Sequence, residues 1–329
     1  RLDPIAGPLQ IIFDRVRAEP RRVVFAEGEE ERVIRAAVAF GQAGYGQPIL
    51  VGRSEIIHAA MDRLGLGQPA GIEIVDPADS SRGEVYTDFL YRRLQRRGVL
   101  QRDCRRMVSV FRTVFAACMV AQNDAHAMIA GLTRSYTEVY EDIRRVLDPK
   151  PGYRPFGLAV LVAHGRTVFI SDATVHELPS AEEIAGIAVQ SAEAARRFGH
   201  EPRVALLSFS NFGNPQHERG DRVRGAVEIL DGRDVDFEYD GEMSADVALN
   251  VERLAHYPFC RLTGPANVLV MPGLHAANIA SKLLQELGGG TLLGPLMMGL
   301  DKSAQIVQMG ATVTDLVNIG ALAAHETIA

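Results

Sequence analysis

Two consecutive windows near the start of the chain confine what it can become. "RRVVFAEG" (Arg21 to Gly28) is a short apolar run that reads as a buried strand. "EEERVIRAAVAFGQAG" behind it places apolar residues at helical spacing and stops at a glycine. "QPILVGR" then repeats the strand and "SEIIHAAMDRLG" the helix. This alternation predicts a largely parallel sheet with helices on both faces, an α/β fold. At 329 residues the chain is too long for one small core and suits two domains. "DPKPGYRP", Asp148 to Pro155, is the expected hinge between them.

Beyond the hinge, "FGLAVLVAHGRTVFIS" reads as two strands joined by a turn at His164-Gly165. A helix follows, capped by Ser180 with Glu183 three residues on, the pattern of a capping box. "PRVALL" is another strand, and "PANVLVMPGLHAANIASKLLQELGG" runs strand, loop, helix.

Charge and composition exclude several classes. A net charge of −6 argues against a general affinity for nucleic acid or anionic membrane, and no apolar run reaches the length of a membrane span. Cys104, Cys118 and Cys260 form no CxxC, and none of the nine histidines pairs at a metal-ligand spacing. That argues for a reducing, cytoplasmic setting and against structural zinc or any other metal site. The chain opens at Arg1 rather than Met, so a piece of a longer polypeptide is expected; a processed N-terminus reads the same way.

In an open α/β sheet, ligands bind beyond the carboxyl ends of the strands, where backbone N–H groups and helix N-termini gather. Three loops meet that description. "SFSNFGNP" offers Ser208, Ser210, Asn211, Gly213 and Asn214 just past a strand. "MPGLHAANIASK" offers Pro272 and His275, with Asn278 read as beginning a helix and Lys282 one turn later. "LLGPLMMGLDKSAQ", Leu292 to Gln305, is read as a loop in which Gly294, Pro295 and Lys302 allow close backbone approach. None of these is a nucleotide fingerprint. Lys282 and Lys302 read equally as surface lysines, and His275 as a ligand contact or a structural histidine. His126, after Asp124 at the end of an expected strand, reads as structural. Arg92, Arg93, Arg96 and Arg97 share one side of an expected helix and read as a solvated face.

In this order, "NDAHAMIAG", "AEEIAGIAVQSAEAARRFGHEPRVALLSFSNFG", "DGEMSAD" and "GPANVLVMPGLHAANIASKLLQELGGGTLLGPLMMGLDK" resemble the phosphate acetyltransferase family over nearly the whole chain. "SFSNFGNP" and "AEGEEERVIRAA" are most similar to the transferase-like C-terminal domain of large bacterial NADP-dependent malic enzymes. The resemblance implies two αβα three-layer domains with a cleft between them, a fold shared with isocitrate and isopropylmalate dehydrogenases. Residues 1–149 plus 305–329 would form the first domain, including the last helix, and 150–304 the second. It implies acetyl-CoA or CoA as ligand and a homodimer through the second domain. It also implies an N-terminal malic enzyme domain in the same polypeptide, a larger oligomer there, and NADP with a divalent metal (Mg or Mn) in that parent. This domain itself would need no cofactor.

Active transferases of the family carry a Ser-Arg pair before the glycine matching Gly310, and an aspartate matching Asp315 that is held to deprotonate CoA. Here Asp315 remains, but Gln308 and Met309 replace the pair, and Glu141 takes a second arginine position. Acyl-phosphate chemistry develops negative charge that needs preorganised cations, and losing one such donor costs ~10²–10³ in rate. The leading expectation is therefore a catalytically silent, acetyl-CoA-binding domain. It would regulate an attached enzyme that oxidatively decarboxylates malate to pyruvate. An active phosphate acetyltransferase using Arg134 or Arg112 is the alternative, and a purely structural oligomerisation domain a third. The acyl-pantetheine end is expected near Asp315 and "SFSNFGNP", with Lys282 and Lys302 meeting the phosphates.

Overall fold

A computed structural model describes residues 6–67, 69, 71–163 and 165–328. His164, half of the expected turn, lies outside the described residues. The strands are β1 (Arg21–Phe25), β2 (Gly46–Val51), β3 (Glu73–Val75), β4 (Ala127–Ala130), β5 (Phe156–Ala163), β6 (Arg166–Ser171), β7 (Arg203–Leu207), β8 (Glu238–Met243), β9 (Val268–Val270), β10 (Thr291–Met298) and β11 (Ser303–Ile306). The helices are α1 (Ala6–Ala18), α2 (Glu31–Gln42), α3 (Ser54–Arg63), α4 (Gly83–Leu94), α5 (Gln101–Val110), α6 (Arg112–Ala121), α7 (Tyr136–Val146), α8 (Ala181–Arg197), α9 (Glu218–Asp231), α10 (Ala245–Leu249), α11 (Val251–Leu254), α12 (Leu274–Leu287) and α13 (Val313–His325).

The chain divides into two compact units. The first joins Gln10–Lys150 with Leu300–Ala329, and the second contains Pro151–Gly299. Its sheet in the first unit runs β11-β4-β1-β2-β3, with every pairing parallel. Val23, Val24 and Phe25 of β1 have no exposed surface, as expected of a strand covered on both faces. The apolar stripe of α2 supplies one cover, and its Phe40 meets Phe25 edge-on at 5.6 Å. Gly320 of α13 lies against both rings; a Cβ there would stand 3.4 Å from Phe40 and 3.5 Å from Phe25. This close approach is how α13 packs on α2 and on β1, β4 and β11 of the first sheet.

The second unit's sheet runs β10-β5-β6-β9-β7-β8. Its β6, β9, β7 and β8 are parallel, while β10, β5 and β6 pair antiparallel. The parallel rhythm read from the sequence thus covers the first sheet fully and the second in part. Its core gathers residues such as Ile170, Leu207, Met243 and Leu269.

Four expectations need correcting. Leu292 to Gln305 is not a single loop: it contains most of β10 and of β11. Gly294 and Pro295 sit inside β10 where its register against β5 shifts between Leu293 and Leu296, and Gly294 takes φ +99°. A bulge accommodates both a proline without an N–H and a left-handed glycine, so residues that usually break strands are kept within one. The second crossing between units falls at Gly299–Leu300, ahead of the 304/305 boundary, because β11 pairs with β4 of the first sheet and takes Lys302 with it. Asn278 does not begin a helix, since α12 starts at Leu274 behind an extended Gly273. Asp124 and His126 precede β4 rather than end a strand. His126 Nδ1 accepts the Arg22 N–H at 3.0 Å, which ties it to β1.

The loop after β4 is fixed by a residue at the end of the neighbouring strand. Glu27, only 7% exposed, accepts the N–H groups of Gly131 (2.9 Å), Leu132 (2.7 Å) and Thr133 (2.8 Å), and the Thr133 hydroxyl at 2.6 Å. Hydrogen bonds to a buried charge contribute more than neutral ones, and Glu27→Ala would strand the buried N–H groups of Gly131 and Leu132 together. Glu27→Ala should lower unfolding free energy by about 3 kcal/mol in urea titrations. An unchanged midpoint would show that the loop does not depend on this carboxylate.

Candidate functional site

Four arginines stand in the first unit: Arg32 in the first turn of α2, Arg53 after β2, Arg112 at the start of α6 and Arg134 after β4. Each already has a protein acceptor. Glu29 receives the Arg53 side chain through Nε and Nη2, both at 3.0 Å, the Arg53 N–H at 2.9 Å, and Arg112 Nη2 at 2.5 Å. These bonds, Arg53's side chain foremost, hold the Glu29 carboxyl at about 2, below its ordinary 4.5, against the opposing effect of burial. Arg134 Nη1 donates to the buried Asp142, which also takes Arg145 at 2.8 Å. Arg32, at the start of α2, donates to the carbonyls of Ala311 (2.8 Å) and Met309 (3.3 Å).

That last pair of contacts secures the loop of Gln308, Met309 and Gly310. Gln308, Met309 and Gly310 are all exposed, Met309 at 58%. Asp315 stands at the third position of α13 in a capping box: it accepts the Thr312 N–H at 2.8 Å and hydroxyl at 2.7 Å, while Thr312 Oγ1 accepts the Asp315 N–H. One of its oxygens is thereby engaged in starting the helix. Glu141 is paired at 3.0 Å with Arg144 of its own helix. Lys302 donates to Asn123 at 2.8 Å.

The second unit is organised around Glu242, which has no exposed surface. Glu242 accepts the Ser210 hydroxyl at 2.6 Å, the Gly213 N–H at 3.2 Å, and Arg224 Nη1 at 2.7 and 2.8 Å. Asn211 accepts the Ser244 N–H at 2.8 Å, and Asn211 and Asn214 exchange backbone bonds at 3.0 Å. Most polar groups of "SFSNFGNP" are therefore committed to holding the loop itself. The loop presents outward Phe209, 61% exposed, with the half-buried Ser208 beside it, and at its far end Asn214 and Pro215.

Asp172 does the same work after β6. At 2% exposure it accepts N–H groups from Gly157, Thr174, Val175 and His176, and His176 Nδ1 lies 2.7 Å away. Burial alone would raise this carboxyl; the His176 ring and the backbone donors hold it below its ordinary value. The His176 carbonyl in turn accepts the Leu274 N–H at the start of α12.

These loops border an open cavity of about 1140 Å³ within the second unit. Of the expected ligand residues, Ser208, Pro272 and His275 line it, joined by Phe209, His217 and Arg222. Ser210 is fully buried and cannot reach a ligand. Asn278 and Lys282 lie further along α12 and are not in the wall, nor are Asn211, Gly213, Asn214, Gly294 or Pro295. Phe209, His217 and Arg222 were not singled out from the sequence, because His217 and Arg222 lie on the far side of the loop and nothing local marks them. Glu242 carried a weak signal as the one acidic residue framed by apolar neighbours in "GEM".

A family model described as "Phosphate acetyl/butaryl transferase" matches residues 8–324. The NADP-dependent malic enzyme of Rhizobium meliloti (strain 1021) is 53% identical over 99% of this chain and 43% of its own length. The probable NADP-dependent malic enzyme of Rickettsia prowazekii (strain Madrid E) is 44% identical over 100% of this chain and 44% of its own length. This chain thus spans under half the length of the malic enzymes it matches. Among solved structures, a phosphotransacetylase from Streptococcus pyogenes superposes with a TM-score of 0.91 at 28% identity, covering 98% of each chain.

The Glu29 cluster makes a pH prediction. A carboxyl lowered from 4.5 to about 2 by folding stabilises the fold above pH 4.5 and loses that contribution as pH falls toward 2. The stability difference between the native chain and Glu29→Gln should therefore shrink from pH 6 to pH 3 in urea unfolding. A difference as large at pH 3 would mean that the charge on Glu29 is not what the arginines hold.

Proposed function

We propose a function from one premise: the chain belongs to the phosphate acetyl/butaryl transferase family. On that premise it is a ligand-binding domain that takes acetyl-CoA without transferring the acetyl group. It acts on the activity of a malic enzyme region attached in a longer cytoplasmic polypeptide. The observation that carries this reading is the contrast between the two units. In the first, neutral Gln308 and Met309 stand in the exposed loop, while Arg32, Arg53, Arg112 and Arg134 are engaged by carbonyls or carboxylates. In the second, a roomy cavity remains with Ser208, Pro272 and His275 in its wall. A developing acyl-phosphate charge needs cations aimed at it in advance, and the arginines here are committed elsewhere. Binding asks for less.

NADP and a divalent metal, implied by the malic enzyme resemblance, do not fit this chain. It has no G-x-G-x-x-G run, and among the described residues no three His, Cys, Asp or Glu are placed to hold a metal ion. Both are assigned to the rest of the longer polypeptide. No described helix is long and apolar enough to cross a membrane.

Pairing of two copies is assigned to α12. Ile279, Leu283 and Leu287 recur every four residues along it and are 56%, 53% and 81% exposed. An apolar stripe of this length left in water is the mark of an interface, and a second copy presents the same stripe to it. Leu283→Glu with Leu287→Glu should convert a dimer to a monomer in sedimentation. A native chain that is already monomeric would remove the assignment.

The functional test has two arms. The chain should form no acetyl phosphate from acetyl-CoA and phosphate at transferase rates, and acetyl-CoA should raise its melting temperature with concentration, as any ligand preferring the folded state must. Gln308→Ser with Met309→Arg should gain a trace of turnover. Robust turnover by the native chain would overturn the silent reading, and no shift at millimolar acetyl-CoA would overturn the binding reading.

A further inference from the structure

An exposed phenylalanine on a ligand loop requires a reason. Phe209 leaves 61% of its surface in solvent at the edge of the second unit's cavity, and His217 meets it edge-on at 5.1 Å with an interplanar angle of 83°. The pair offers one broad aromatic face with a second ring standing at its border. Such a face suits a flat π-system, since every nucleobase has one.

Cationic and dipolar groups lie in the same wall. Arg222 is anchored through Nη2 to the Pro272 carbonyl at 3.0 Å and brings its positive charge to the cavity. The first turn of α12 opens there through Gly273, His275 and Ala276. Leu274 and Ala277 direct their N–H groups to His176 and Gly273, so the turn is held firmly in place. A guanidinium beside a helix N-terminus is a phosphate-binding combination. The carboxylate in the wall, Glu177, lies 3.9 Å from His275 Nε2 and is an acceptor suited to an exocyclic amine.

We propose that this cavity takes the adenosine phosphate half of acetyl-CoA, with the base against Phe209 and His217 and the phosphates toward Arg222 and the first turn of α12. The assignment rests on the acetyl-CoA reading above and reverses the orientation expected from the sequence. The pantetheine arm is a flexible chain whose amides need hydrogen-bonding partners. The polar groups of Ser210, Asn211 and Gly213 that could serve it are held by Glu242 and Ser244. An aromatic face flanked by cations recognises the nucleotide instead.

The test uses calorimetry on the intact chain with four probes: acetyl-CoA, adenosine 3′,5′-bisphosphate, adenosine and S-acetylpantetheine. Phe209→Ala should weaken acetyl-CoA and the bisphosphate by roughly tenfold or more while leaving acetylpantetheine unchanged, and Phe209→Tyr should restore both. Arg222→Gln should weaken the bisphosphate more than adenosine. Because Phe209 is mostly exposed, an unchanged melting temperature without ligand will show that the variant is folded. If acetyl-CoA binds but Phe209→Ala leaves its affinity intact, or lowers that of acetylpantetheine, the nucleotide assignment is overturned and the acetyl-CoA reading stands. Were the bisphosphate to bind in a Phe209-dependent way while acetyl-CoA does not, the cavity would be a nucleotide site and the acetyl-CoA reading would fall. Binding of neither overturns both.

Discussion

Three buried carboxylates determine what the carboxyl ends of these sheets can do. Strands that end in an open α/β sheet hand over to loops and helix starts whose N–H groups lack partners, which is why anionic ligands gather there. In this chain Glu27, Asp172 and Glu242 supply the anion from within. Removing a carboxylate from water costs several kcal/mol, and only multiple charge-assisted bonds offset it. Each of the three has them: Glu27 from three consecutive N–H groups and a hydroxyl, Asp172 from four N–H groups and a ring, Glu242 from a hydroxyl, an N–H and a guanidinium. The loops they hold cannot rearrange without exposing several buried donors together. Everything the loops present to solvent is thereby fixed in place.

The same device has different consequences in the two units. Around the first sheet, carboxylates also take the arginines, so that positive charge is neutralised inside the protein rather than aimed at a ligand. Around the second, Glu242 takes Arg224 but leaves Arg222 at the cavity, with aromatic and apolar walls beside it. On the function proposed above, a fold related to acyl-transfer enzymes keeps a binding surface and places its cations differently. Function follows from where charges are placed, not from the fold. Regulation needs no more than that, because a ligand that prefers one state of a protein shifts its population whether or not chemistry follows.

Much of the architecture was legible in the sequence, and the reason is locality. The run "RRVVFAEG" followed by "EEERVIRAAVAFGQAG" specifies β1 and α2 because periodicity and β-branching act within a few residues. The capping boxes at Ser180 with Glu183 and Thr312 with Asp315 were legible for the same cause, since each joins groups three positions apart. That neutral Gln308 and Met309 stand before Gly310 needed no coordinates. Gly294 and Pro295 misled, because a bulge against β5 is a property of two strands far apart in the chain. Arg92 and its neighbours were read as one helical face. In the structure α4 ends at Leu94, and Arg93 turns to Asp148 while Arg92, Arg96 and Arg97 stay exposed.

The sequence by itself determined the alternation of strand and helix at the start of each half, the capping boxes, and the neutral residues before Gly310. Only the tertiary structure decided where the remaining charges point. Glu27 meets a loop more than a hundred positions away because β1 and β4 are neighbours in the sheet, and Arg112 reaches Glu29 through the same strand order. Phe209, His217 and Arg222 share a cavity because the loop after β7, the start of α9 and the loop after β9 converge at one end of the second sheet. Local rules act over three or four residues. A site is made by residues that the sheet brings together, and their sequence separation carries no record of it.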